Sequence, residues 1–259
     1  MVTRFRLNTL AQLIVVLAIA FGLKSYYSTA RVDELKWILT PTTRLVEFVS
    51  GRTFEFESRA GYMGSDHTFL IAASCAGVNF LITAFLMLSL SRLWSRPRSA
   101  EECGVNGWSV VPISAFAAYA ATVVANTVRI SVALQLRQGS LKTNVLNGDQ
   151  LHRLEGIFVY FGFLLLLFLC SENLYRTRRR ELGNQSFLRS SRYVFPLMIY
   201  YCTTLGLPLM NGAYSRAKDF GEHSVFVIIT PLVLIVSVQA VRMLARLFSS
   251  EKRLAQTQA

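Results

Sequence analysis

Charge is what this sequence has least of. Only 16% of its 259 residues are Asp, Glu, Lys or Arg, against about a quarter in an ordinary soluble domain. With 53% apolar residues and a mean hydropathy of +0.40, the chain has too little polar surface for a water-soluble globule. Acid is scarcer than base, 15 residues against 27. Nucleic-acid binding would need that surplus on one solvated face, whereas here it is dealt out between apolar runs. No Gly-rich, Gln-rich or other low-complexity tract occurs, so no long linker is indicated. The absence of Cys-x-x-Cys, of His-Glu-x-x-His and of paired aspartates within apolar runs argues against zinc and aspartyl intramembrane proteolysis. No Gly-x-Ser-x-Gly elbow, phosphate loop or dinucleotide fingerprint is present, so neither serine-hydrolase nor ATP or NAD chemistry is supported. No cofactor or metal is expected.

What the sequence does have is apolar runs of spanning length. A membrane helix needs about 20 such residues, and six stretches qualify, near 7–23, 68–90, 108–133, 151–170, 193–210 and 224–248. The expected fold is an all-α polytopic membrane bundle in one domain, 1–259, with an added interfacial helical segment. The first run opens with Arg4 and Arg6 like a signal peptide, but no small-x-small cleavage site follows Phe21 and Gly22, so it reads as a retained helix. Lys and Arg favour the cytoplasmic side. With the N-terminus inside, the interior pieces 1–6, 91–107, 171–192 and the end from Arg242 carry 15 basic and 5 acidic residues, a net of +10. The exterior pieces 24–67, 134–150 and 211–223 carry 10 and 9, a net of +1. Both termini are therefore expected in the cytoplasm, and Arg176, Arg178, Arg179 and Arg180 read as a topology anchor. Cys103 and Cys170 fall on the interior side and Cys202 inside the fifth run, so a structural disulfide is not expected.

In the long exterior connection, WILTPTTRLVEF (37–48) is broken by Pro41 and interrupted by Arg44 and Glu47. It is too short and too charged to span, so an interfacial or re-entrant helix pair is expected.

Polar groups inside spans are costly and mark function. In the second run Ser74, Cys75, Ala76 and Gly77 form a small-residue patch with Asn79 four residues beyond the cysteine. Helix packing alone would account for the small residues. The third run ends ATVVANTVRISVAL, with Arg129 inside it and Asn126 three residues earlier on the same face. The Arg either snorkels to the interface or belongs to a polar site. The fourth opens LHRLEGIFVYFGF, where His152 and Glu155 share a face and Gly156 would let another helix approach. Glu155 could orient His152, or pair with Arg153 or Arg137. Read as one straight helix at 1.5 Å per residue, the second run puts Cys75 roughly 10 Å below the exterior surface. Arg129 and His152 also fall at exterior ends. His67, eight residues before Cys75, would lie on nearly the same helix face and is a rival base; His223 opens the last run.

A thiol, a guanidinium and an imidazole in one leaflet have a chemical logic: nucleophile, oxyanion partner and proton carrier for acyl transfer. At these residues the sequence resembles a known family. SCAGVNF around Cys75, NTVRI around Arg129 and HRLEGIFVYF around His152, in that order, look like the three motifs of the exosortase and archaeosortase transpeptidases, with SCAGVNF closest to exosortase K. LTPTTRLVEFVSG ending at Gly51, Phe54 and GYMG at 61–64 resemble the family's preceding exterior segment, so the likeness covers about 35–165. The resemblance implies a Cys75, Arg129, His152 active site. It also implies a location, the bacterial cytoplasmic membrane with the site facing outward, and a substrate class. Those substrates are secreted proteins carrying a C-terminal short motif, membrane helix and Arg-rich end. Membrane lipid is the other expected partner, and nucleic acid is not one. The chain departs from the family in having Ala76 where many members have Ser or Thr, and six expected spans where larger members have eight. Residues 193–259 fall outside the resemblance. The readings from other classes are a small transporter whose Arg129 and His152 line a polar path, or a membrane scaffold. A transporter would show internal repeats or matching broken helices, and the sequence has neither.

Overall fold

The computed structural model describes residues 2–94, 107–138, 148–180, 193–210 and 220–257. The first apolar run folds as helix α1 (Val2–Thr29), followed by a 3-10 turn (Val32–Leu35) and helix α2 (Lys36–Ser50). Three short strands come next, β1 (Phe54–Glu57), β2 (Gly61–Gly64) and β3 (Leu70–Ile71). A second 3-10 turn (Ala73–Ala76) leads into α3 (Val78–Trp94), and α4 (Val110–Gln138) and α5 (Gly148–Arg180) follow. α6 (Val194–Tyr201), a π turn (Cys202–Gly206) and α7 (Leu207–Met210) precede the last helix, α8 (Phe220–Thr257).

Five segments are long and apolar enough to cross a membrane: Leu7–Thr29, Ala73–Trp94, Val110–Leu136, Arg153–Leu174 and Gly221–Val241. The expected all-α bundle therefore forms, and five of the six expected runs reach spanning length as helices. The run 193–210 gives only a shorter apolar helix, Val194–Gly206, because its ladder widens at Cys202–Gly206 and then resumes for a single turn. It still runs back along α5. Phe195 lies beside Phe168 (5.7 Å between ring centroids) and Tyr200 beside Phe161 (5.3 Å), so the two helices are antiparallel.

α3 is apolar all round and correspondingly central: Phe80, Phe85, Met87 and Leu88 are buried, with α1, α4, α5 and α6 against it. α2 packs on α4 and α8 on α5. The outer helices α1 and α8 expose Leu10, Ile14, Phe21, Ile229, Val233 and Val236. An apolar exterior of that extent matches lipid, not water.

The connection between the first two apolar runs corrects another expectation. It holds one helix, α2, and an antiparallel sheet in the order β1-β2-β3 instead of a helix pair. Pro41 does not end α2 but sits inside it. Lacking an N–H, it leaves the carbonyl of residue 37 without its helical donor, and the Tyr119 hydroxyl of α4 donates to that Trp37 oxygen instead (2.8 Å), with the two rings stacked at 5.9 Å. Gly51 ends α2 in the left-handed conformation (φ 68°), its N–H on the Glu47 carbonyl, while the Glu47 carboxylate accepts the N–H of Phe54 (2.8 Å). Thr40 and Tyr62 share a 2.6 Å hydroxyl hydrogen bond, so helix and sheet form one cap. On its rim Arg52 pairs with Asp66 (3.3 Å), whose carboxyl is held below its ordinary range, chiefly by hydrogen bonding to Thr68 and further by Arg52.

Candidate active site

Cys75 lies in the membrane-length segment Ala73–Trp94 but outside its α-helix. The run taken to start at 68 is a strand and a 3-10 turn as far as Ala76, and α-helix begins only at Val78. Gly77 is the reason: it adopts φ +69°, a left-handed residue that a continuing helix does not admit. The thiol therefore sits on a turn immediately before the N-terminus of α3, held on both sides. Upstream, Leu70 and Ile71 pair with Met63 and Tyr62, Ile71 is fully buried, and the Cys75 N–H donates to the Ala72 carbonyl (2.9 Å). Downstream, Gly77 accepts the first helical hydrogen bond of α3, from Leu81 (3.0 Å). A negative charge at this turn would be stabilised by the N-terminal end of the α3 dipole.

From the side, α4 reaches the same turn. Asn126, fully buried, donates its Nδ2 to the Cys75 carbonyl. Its Oδ1 accepts from the Tyr160 hydroxyl of α5 (2.8 Å), and that hydroxyl accepts from a terminal guanidinium nitrogen of Arg129 (3.2 Å). The guanidinium carbon lies 5.3 Å from the centre of the Tyr160 ring, which stacks on Phe80 of α3 at 5.1 Å and 17°. Arg129 fits because Gly156 has no side chain: a Cβ there would stand 3.2 Å from Arg129 Nε. Thus Gly156 admits a side chain of α4, not only its backbone.

Glu155 is buried on α5, and its carboxylate and the Cys75 sulfur both lie within electrostatic reach of Arg129. Tyr27, near the end of α1, interacts in the same way with Cys75 and Arg129. One turn earlier the Lys24 ammonium donates to Asn79 Oδ1 (2.8 Å). Asn79 is therefore occupied by α1 and exposed, and it does not continue a helical face from Cys75. His67 is likewise displaced. It lies exposed in the turn between β2 and β3 at φ 52°, not on a helix with Cys75. His152 stands on α5 one turn before Gly156 and two before Tyr160, in the register of the face that meets Arg129; its side chain lies outside the described part, as does Cys103. His223, at the start of α8, stands in the field of Arg153. Among the described residues no group of three His, Cys, Asp or Glu is placed to hold a metal ion.

Tyr160, Lys24 and Tyr27 did not stand out in the sequence. For Tyr160 a signal existed, since it follows His152 by eight residues and Gly156 by four and so shares their helix face. For Lys24 and Tyr27 there was none, because only tertiary packing brings the end of α1 to the start of α3.

These features define a class, a helical membrane protein whose buried polar groups gather around one cysteine at the end of the bundle that carries the small sheet. No known protein family, curated protein or solved structure matches the chain.

Proposed function

We propose that this protein is a membrane-embedded cysteine protease and transpeptidase of exosortase type, acting at the outer face of the bacterial cytoplasmic membrane. Its substrates are secreted proteins bearing a C-terminal sorting signal of a short motif, a membrane helix and an Arg-rich end. The observation that carries the reading is the Asn126 clamp: the residue that holds the Cys75 carbonyl also belongs, through Tyr160, to the hydrogen-bonded chain of Arg129. A thiol on a fixed turn, at a helix N-terminus and in the field of a guanidinium, suits nucleophilic attack with oxyanion stabilisation.

In this mechanism His152 takes the Cys75 thiol proton as Sγ attacks the scissile carbonyl carbon, and the carbonyl electrons move onto oxygen, which faces Arg129. The tetrahedral intermediate collapses to a thioester, expelling the amine of the sorting segment, and His152 supplies that amine's proton. His152 then takes a proton from the incoming water, lipid or glycan nucleophile and returns it to the departing Cys75 sulfur.

The test is co-expression with a protein of the same organism that ends in a short motif, an apolar helix and an Arg cluster. Its mass should fall by the length of the sorting segment with the wild-type chain, and remain unchanged with Cys75→Ala at equal membrane abundance. Full processing by Cys75→Ala ends the proposal.

A further inference from the structure

The hydrogen-bonded chain that joins Arg129 to the Cys75 turn runs in one direction, and its two ends dictate that direction. A backbone carbonyl only accepts, so the amide nitrogen of Asn126 faces Cys75 and the amide oxygen faces away. That oxygen needs a donor, and the Tyr160 hydroxyl supplies its single proton (2.8 Å). A guanidinium only donates, so the lone pairs of the same hydroxyl receive Arg129 (3.2 Å). Of the two amphoteric groups between an obligate acceptor and an obligate donor, only this arrangement leaves every partner satisfied. Rotation of the Asn126 amide would set two carbonyl oxygens against each other at Cys75 and two nitrogen donors against the Tyr160 oxygen.

We infer that Tyr160 is a positioning residue that couples the Arg129 guanidinium to the Cys75 turn, so that nucleophile and cation are set by one shared hydroxyl. It acts through its neighbours, since its own proton is committed to Asn126. Its ring is fixed separately, stacked on Phe80 at 5.1 Å and lying under the Arg129 guanidinium. Tyr160→Phe therefore removes the link and leaves the packing. The inference rests on the reading of Cys75 as the nucleophile, and its test needs no substrate.

The full chain in lipid nanodiscs is treated with iodoacetamide, and alkylation is followed peptide by peptide, with the exposed Cys170 as the internal control. Arg129→Gln should slow Cys75. Tyr160→Phe should slow it about tenfold, the loss of one charge-linked hydrogen bond, with the Cys170 rate unchanged. Because Tyr160 acts through Arg129, the double variant should be no slower than Arg129→Gln alone. Cys75 reacting at the wild-type rate in Tyr160→Phe while Arg129→Gln is slow overturns the positioning role and leaves the active-site reading standing. Additive losses, or parallel change at Cys170, also overturn it, since they mark a general packing role. A Cys75 rate indifferent to Arg129→Gln overturns the shared site itself and the coupling with it.

Discussion

Gly77 lies against Asn126 so closely that a Cβ on it would stand 3.2 Å from the amide carbon and 3.3 Å from both amide heteroatoms. The same glycine holds φ +69°. Gly77→Ala therefore meets two penalties: about 1–2 kcal/mol for a left-handed alanine, and displacement of the amide that grips the Cys75 carbonyl. Gly51 separates them, for it holds φ +68° with nothing within 4 Å of its Cβ position. Gly51→Ala should lower thermal stability by the conformational share and leave Cys75 alkylation unchanged, whereas Gly77→Ala should lower both. Equal Cys75 rates in the two variants would show that the Asn126 contact does not govern the turn.

Gly156→Ala should behave in the opposite way. In a helix interior alanine is favoured over glycine by about 1 kcal/mol, which offsets the cost of a Cβ standing 3.2 Å from Arg129 Nε. The unfolding midpoint in detergent should stay near wild type while substrate processing falls, as the guanidinium is pushed from its place. Full processing with Gly156→Ala would mean that Arg129 shifts without consequence.

Apolar composition made α1, α4, α5 and α8 legible in the sequence, because each is one uninterrupted run of spanning length. It also misled at Cys75, since FLIAASCAGV stays apolar through a strand, a turn and a left-handed glycine before the helix starts. Hydropathy is indifferent to backbone conformation, and it was tertiary pairing of Leu70 and Ile71 with β2 that decided it. Asn126 and Arg129 were legible by their cost inside a span, and so was the need for close approach at Gly156. The Tyr160 link was not, because a tyrosine in an apolar run is as readily a packed ring as a hydrogen-bonding group.

Pro41 offers a test of compensation at a distance. Its missing N–H leaves the Trp37 carbonyl to the Tyr119 hydroxyl. Tyr119→Phe should destabilise the protein by about 0.5–1.5 kcal/mol, the net worth of the hydrogen bond it removes. Pro41→Ala restores the helical donor, so it should recover most of that loss in the Tyr119→Phe background and gain less in the wild type. Thermal unfolding of the four proteins measures the coupling, and strictly additive effects would refute it.

The last prediction concerns the segment that is too short by composition alone. Gln150, at the start of α5, donates to Glu222, at the start of α8, over 2.7 Å, so these two helices begin at the same end of the bundle. The chain leaves α5 at its far end and must return along its whole length before α8 begins. α6 makes that return, antiparallel to α5 through the Phe168–Phe195 and Phe161–Tyr200 contacts, and Thr203 is held against Thr83 of α3 at 2.9 Å. The run Val194–Met210 is thus expected to be a fifth crossing despite its π turn, giving six in all. Alkaline phosphatase fused after Gln138 or after Met210 should be active, on the exterior side assigned by the +1 charge balance. Fused after Trp94 or after Arg180, beside the strongly basic pieces, it should be silent. Activity after Gln138 combined with silence after Met210 would remove the fifth crossing, and activity after Trp94 would invert the orientation and place Cys75 on the cytoplasmic side.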